Sequence, residues 1–306
     1  MDEAPSAPPF VRGASGAHGW LRLEVARRDS DGRTVRVGGG HGAPLHLARL
    51  MYPEPTAHDM AYAYMSTLGG GLVPGDHLGI DIVALPHARL HVTTTGATRL
   101  HRGTDTKGTG HRLIVARQRV RLEAFPWSLL EWWPDVTIPY RGSAYRGDIE
   151  IVVHPEAAVL CADVVLPGRT WGHEWHHADA YATRTVVRRP DGTIMAVDAQ
   201  VLAPAPAGAR PFGATIDPLR GTVIGILALV PVSRCDEAVA SLREVIAAQA
   251  DGFARAAGVS VLPNGAGVGV RAMASGGQEA RAFLDAAWKA LRNALGGPVP
   301  PSIPKS

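Results

Sequence analysis

Two stretches of this sequence hold side chains in spacings that could do chemistry. The first, His173-Glu174-Trp175-His176-His177, satisfies His-Glu-x-x-His. On a helix this spacing turns two imidazoles to one face for a zinc ion and places the glutamate as general base. It defines an alternative function, a zinc-dependent hydrolase using His173, Glu174 and His177. The surroundings point to a strand instead. Pro167, Gly168 and Gly172 precede the motif, and the run from Ala180 to Val187 alternates with period two. On a strand His173 and His177 stand about 13 Å apart, too far to share one metal. No third ligand follows at the spacing such enzymes use.

The second stretch is Gly69-Gly70-Gly71-Leu72-Val73-Pro74-Gly75-Asp76. A glycine-rich loop can cradle phosphate, but no Gly-Lys-Ser/Thr is present, and Ile80, Ile82 and Leu85 predict a strand rather than a helix after it. The better reading is a turn whose glycines take positive φ. Asp76 is then either a turn acid or a ligand. The threonines Thr93, Thr94 and Thr95 suit an exposed strand face, with a hydroxyl-lined path as the alternative. Cys161 lies in an apolar run and reads as a small core residue.

Composition narrows the class. The 306 residues include 13 histidines, all between His18 and His177, yet only two cysteines, Cys161 and Cys235. Two cysteines exclude a disulfide framework and a zinc–thiolate cage, and they fit a reducing cytosol. A hydrophobic fraction of 46% against 19% charged supports a sizeable core, and 35 glycines with 24 prolines favour short strands joined by turns. The net charge of +3 comes from scattered arginine, since only Lys107, Lys289 and Lys305 are lysine. That pattern excludes a nucleic-acid stripe. Val223 to Val232 is too short to span a bilayer and reads as a buried strand.

The elements that must position these residues follow from periodicity. Leu21, Leu23 and Val25 alternate with polar neighbours, as do Leu90 and Val92, Val120, Leu122 and Ala124, and Ile149, Ile151 and Val153. Asp191-Gly192 between two β-branched runs predicts a hairpin. A helix is expected from about Asp236 to Ala257, carrying Val239, Leu242, Val245, Ile246 and Phe253, with Ser233 as cap and Gly258 as stop. A second is expected from about Gln278 to Leu295, with Phe283, Leu284, Ala287, Trp288 and Leu291 on one stripe and Gly296 at its end. Strands first and two helices last make a mostly β (α+β) chain. The expected organisation is a disordered arm over 1–18, one domain over 19–295 and a flexible proline-rich tail over 296–306. The stretch from Ala203 to Pro211 reads as a loop within that domain.

An ordered series of segments resembles one family. Pro44-Leu45 with Tyr52-Pro53-Glu54, the run Leu68 to Asp76, and Leu90 to Arg102 (LHVTTTGATRLHR) are followed by Leu122-Glu123 and by Ile138 to Ala144. Ala162 to Arg169 (ADVVLPGR) and then Glu174 complete the series. In this order they resemble the urease accessory protein UreD (also called UreH) family. The chain departs from the family pattern in carrying Arg99 for lysine, His173 for glycine and His77 where an acid often stands. It also departs in the stretch Trp127 to Trp133 and in lacking an Arg-x-Trp ending.

The resemblance implies a non-enzymatic scaffold, a metallochaperone that joins UreF and the GTPase UreG, docks on the urease apoprotein and helps to load nickel. It implies a helical or barrel-like stack of many short strands with two C-terminal helices, acting in the cytoplasm without membrane or nucleic-acid partners. No cofactor is held permanently; Ni²⁺ is in transit. Carboxylates and imidazoles held weakly at several points suit such a cargo. The positions that match the family's acids are Glu54, Asp76, Glu123, Asp163 and Glu174, with His77 and His173 beside two of them. Exposed arginines and the aromatics Trp127, Trp132, Trp133 and Tyr140 are candidates for a partner interface.

Overall fold

The structure is a computed structural model, and it describes residues 16–103, 114–169, 177–202, 221–248 and 256–301. The elements run β1 (His18–Arg27), β2 (Thr34–Gly42), β3 (Leu45–Leu47), β4 (Met60–Thr67), β5 (His77–Ala84) and β6 (Arg89–Thr94). Then come β7 (Thr98–Leu100), β8 (Ala116–Ala124), β9 (Leu129–Trp132), β10 (Thr137–Pro139), β11 (Ala144–Val153) and β12 (Ala158–Val165). After β13 (Ala180–Arg188), β14 (Ile194–Leu202) and β15 (Thr222–Leu229) the chain forms α1 (Cys235–Ala248), β16 (Ala256–Val261), β17 (Val268–Ala274) and α2 (Gly277–Ala294).

These strands make two stacked sheets. The first has seven strands in the order β14-β13-β11-β8-β5-β1-β2; the second has ten, with the main path β16-β17-β15-β12-β9-β6-β4-β3. Within the first sheet β1, β5, β8, β11 and β13 are parallel, and within the second β4, β6, β9 and β12 are parallel. Parallel neighbours need a long return connection, usually a helix. Here the return is a strand in the opposite sheet, so the chain winds as a coil of strand pairs. The helical, mostly β stack with two late helices is therefore observed.

The coil builds two cores. Leu21, Leu23, Ile80, Ile82 and Leu122 fill the space between the sheets. A second core lies on the far face of the ten-stranded sheet, where Phe283, Leu284, Ala287, Trp288 and Leu291 of α2 pack with Leu160, Ala162, Val164, Ile224 and Ile226. β12 and β15 serve both cores, which is why each reads as an unbroken apolar run. The stripe expected on the second helix is the face that α2 buries, and Gly296 follows it with φ 71°. The hairpin at Asp191-Gly192 is present between β13 and β14, closed by an Asp191 side chain that accepts from the Thr193 amide.

Three expectations need correction. The first helix is described over Cys235–Ala248, and Ala256 and Ala257, expected at its end, belong to β16, whose hairpin with β17 lies between the two helices. Gly258 is a strand residue paired with Arg271, not a helix stop; Phe253 lies outside the described residues. The run Ala256 to Val261 is short and gains its strand character from pairing with β17, which local periodicity does not show. Ser233 sits inside a 3₁₀ turn over Val232–Arg234 rather than capping α1. Thr93 is buried, its hydroxyl donating to the Trp133 carbonyl at 2.7 Å, because β6 is a central strand with no exposed face. The loop expected over Ala203 to Pro211 lies outside the described residues.

Candidate functional site

Two polar clusters interrupt the apolar cores, one on each side of the ten-stranded sheet. The first ties α2 to the sheet. Arg292 on the last turn of α2 donates from Nε to Glu131 Oε1 at 2.7 Å and from Nη2 to Glu131 Oε2 at 2.9 Å. Its Nη1 reaches Glu54 at 2.9 and 3.2 Å. Trp288 Nε1 also donates to Glu131, His91 Nδ1 lies 2.8 Å from the same carboxylate, and the Tyr62 hydroxyl donates to Glu54. All six side chains are buried. Burial works to raise the Glu131 carboxyl, but the Arg292 guanidinium and His91 outweigh it and hold the group at about 2. Burial likewise opposes the Arg292 charge, and Glu131 overrides it to raise its pKa.

The second cluster is a polar seam between the sheets. Asp163, flanked on β12 by Cys161 and Val165, points from the ten-stranded sheet toward the seven-stranded one. It accepts from the Tyr181 hydroxyl at 3.3 Å and the Thr183 hydroxyl at 3.4 Å. Tyr181 stacks on Tyr145 with ring centroids 5.2 Å apart, and Tyr145 donates to Gln118 at 3.0 Å. Toward the other end, Thr183 pairs with Gln200, whose amide nitrogen is buried without a protein partner among the described residues. Beyond it, Arg271 and Asp198 form an ion pair at a groove of about 410 Å³ between the open edges of the two sheets. Burial raises the Asp163 carboxyl, and Arg271, Tyr181 and Thr183 offset only part of that. The two tyrosines are raised by burial first and by Asp163 next. Asp163 is thus a carboxylate held between the sheets by two long hydrogen bonds and by no direct ion pair among the described residues.

The structure distributes the sequence-derived candidates rather than gathering them. Glu54 belongs to the Arg292 network, and Asp163 to the seam on the opposite face of the sheet. Asp76 is buried, and its two oxygens accept from the amides of Ala17 at 2.7 Å and Val73 at 2.8 Å, so its carboxylate closes the glycine turn. Gly69, Gly70 and Gly71 there take φ of 97°, 83° and 144°. His77 faces outward with its ring 5.1 Å from His18, and burial and then His18 lower its pKa. Glu123 also faces outward, paired with Arg121 at 3.3 Å. His173 and Glu174 lie outside the described residues, while His177 precedes β13 and its carbonyl accepts from Gly142. Among the described residues no three of His, Cys, Asp and Glu converge on a metal position. The threonine run does line a small hollow of about 190 Å³ with Ser66, Thr67, Thr94, Thr95 and Thr98.

Glu131, His91 and Arg292 were not singled out by sequence. For Glu131 a signal exists. Leu130-Glu131 is a second Leu-Glu pair after Leu122-Glu123, set in a run of large apolar residues (LLEWW), and it places its acid in the core. Leu122-Glu123 puts its acid on the outer surface.

Comparison with known proteins bears directly on this arrangement. The model of the UreD urease accessory protein family matches residues 17–305. The chain belongs to the UreD family. It is 30% identical over 302 residues to urease accessory protein UreD 2 of Streptomyces griseus, covering 99% of this chain and 96% of that protein. It is 31% identical to urease accessory protein UreD 3 of Methylorubrum populi, covering 95% of this chain and 90% of that protein, and 26% identical to urease accessory protein UreD of Photorhabdus laumondii, covering 95% and 86%. As a UreD-family member it is an accessory protein with a role in urease maturation, not an enzyme. Among its described residues no helix is long and apolar enough to cross a membrane.

Proposed function

We propose that this chain is the scaffold on which urease receives its nickel, acting with UreF and the GTPase UreG on the urease apoprotein in the cytoplasm. The observation that carries this reading is the UreD family match across residues 17–305. The fold suits the role: a stiff coil of paired strands offers long faces for docking and encloses a polar seam. Ni²⁺ takes carboxylate, imidazole and water ligands. A conduit must hold it weakly at successive points, because one tight cage would retain it.

Within that reading Asp163 is the transit carboxylate, with the tyrosine and threonine hydroxyls beside it and Asp198 toward the open edge. Glu54 and Asp76 are occupied by Arg292 and by backbone amides, and they serve the path by holding the walls. Glu123 and His77 lie on the outer face, and Glu174 and His173, outside the described residues, remain candidates. The test is co-expression of the tagged chain with UreF and UreG, followed by affinity capture. Recovery of both partners is expected; recovery of neither overturns the scaffold reading.

A further inference from the structure

The outer face of the seven-stranded sheet separates its charges along the strands. Because β1, β5, β8, β11 and β13 are parallel and in register, outward residues form rows across the sheet. One row runs His18, His77, Arg117, Arg146 and Ala182; the next runs Trp20, Gly79, Arg119, Asp148 and Arg184. These two rows hold four arginines against one carboxylate. The following rows run Arg22, Asp81, Arg121, Glu150 and Val186, then Glu24, Val83, Glu123, Val152 and Arg188. There three arginines meet four carboxylates, and Glu150 is shared between Arg121 and Arg188.

The basic end is only partly neutralised internally. Arg146 is held by Asp148 at 2.8 and 3.1 Å, and Arg119 only approaches Glu150 at 4.0 Å. Among the described residues Arg117 and Arg184 have no ion-pair partner, and both are exposed. Like charges directly opposite on neighbouring strands destabilise a sheet, yet Arg117 and Arg146 are such neighbours. Trp20, 54% exposed, stands at the margin of the same rows. Arginine and tryptophan are the residues that dominate protein interfaces.

We propose that this end of the sheet, centred on Arg117, Arg119, Arg146 and Arg184, docks an acidic helix of a protein partner. Neighbouring strands lie about 4.8 Å apart and same-face residues along a strand about 6.6 Å apart. Carboxylates at i, i+3 and i+4 of a helix are spaced by about 5–6 Å, which matches that grid. The planar guanidinium forks donate two parallel hydrogen bonds to a carboxylate. Four arginines are too few for a duplex nucleic acid, whose binding proteins make about 6–10 phosphate contacts. The choice of a protein partner rests on the scaffold reading above.

The test uses the whole chain and a fluorescein-labelled 20-residue alanine helix carrying glutamates at i, i+3 and i+4. A glutamine version and a 20-nucleotide single-stranded DNA serve as competitors. The wild type is expected to bind the glutamate peptide, and the affinity is expected to fall at least tenfold from 50 to 300 mM NaCl. The triple variant Arg117→Gln, Arg119→Gln, Arg184→Gln is expected to lose at least tenfold at 50 mM NaCl. The double variant Arg121→Gln, Arg188→Gln at the neutral end is expected to stay within twofold, with circular dichroism showing both variants folded. Equal binding by the triple variant, no binding by the wild type at 50 mM NaCl, or tighter binding of the DNA than of the peptide overturns the inference. Capture of UreF, UreG or urease apoprotein by the wild type, run in parallel, reports separately on the scaffold reading.

Discussion

Arg292 Nε lies 2.7 Å from Glu131 Oε1, with both side chains fully buried and 161 residues apart in the chain. This contact, with Glu54 on the other edge of the guanidinium, fastens the C-terminal helix to a strand at the middle of the ten-stranded sheet. Removing one partner of a buried pair leaves a charge without compensation, which costs about 3–5 kcal/mol. Arg292→Met is therefore expected to lower the free energy of unfolding by that amount in urea titrations. Adding Glu54→Gln and Glu131→Gln to it is expected to restore part of the loss, since no unpaired charge then remains. An Arg292→Met protein as stable as the wild type contradicts the pairing.

Acid stability depends on the same network. Glu131 is held at about 2, below the ordinary 4.5. A depressed carboxyl contributes stability in full above its unfolded value and loses it as pH falls through the folded one. The contribution, on the order of 3 kcal/mol, is therefore present above about pH 4.5 and disappears toward about pH 2. Chemical denaturation between these limits is expected to show a steep fall for the wild type and a flatter one for Glu131→Gln. Parallel curves for the two proteins would falsify this assignment.

Asp163 has the opposite sign. Its carboxyl is raised, by burial above all, so its ionised form weakens the fold as pH rises through that value. Asp163→Asn is expected to raise the melting temperature at pH 7 by about 1–4 °C, while reducing urease activation at limiting nickel. A group that costs stability and serves function has this signature. A variant that melts earlier and activates urease normally removes Asp163 from the transit path.

The two thiols report on the cores. Cys161 is raised by burial and then by Asp163, and Cys235 by burial and then by Asp236. Thiolate is the reactive form, so neither is expected to react with an aromatic disulfide reagent within minutes at pH 8 in native protein. Both are expected to react in 6 M guanidinium, at the usual pace of a free cysteine.

Much of this architecture was readable before the structure, and the exceptions have physical causes. The alternation of Leu21, Leu23 and Val25, the hairpin at Asp191-Gly192 and the stripe on α2 are local signals, and each is found where expected. Period two does not distinguish parallel from antiparallel pairing, so the coil connectivity waited for the register. The strand β16 depends on its partner β17, and by local periodicity alone its residues continue the helix before it. The Arg292–Glu54 pair spans 238 positions, beyond any spacing rule. Asp76 shows the reverse case. A turn acid and a metal ligand look alike in sequence, and the two amides that occupy its carboxylate distinguish the structural role. The arginines look scattered along the chain, and only the parallel register collects four of them at one end of a sheet.

Maturation itself is the most direct test. Urease specific activity and nickel content should be measured in cells carrying the urease structural genes with UreF and UreG, with and without this chain. Activity and bound nickel are expected to rise together when the chain is present, and to fall at limiting nickel with Asp163→Asn. Fully nickel-loaded, active urease in its absence contradicts a role in maturation.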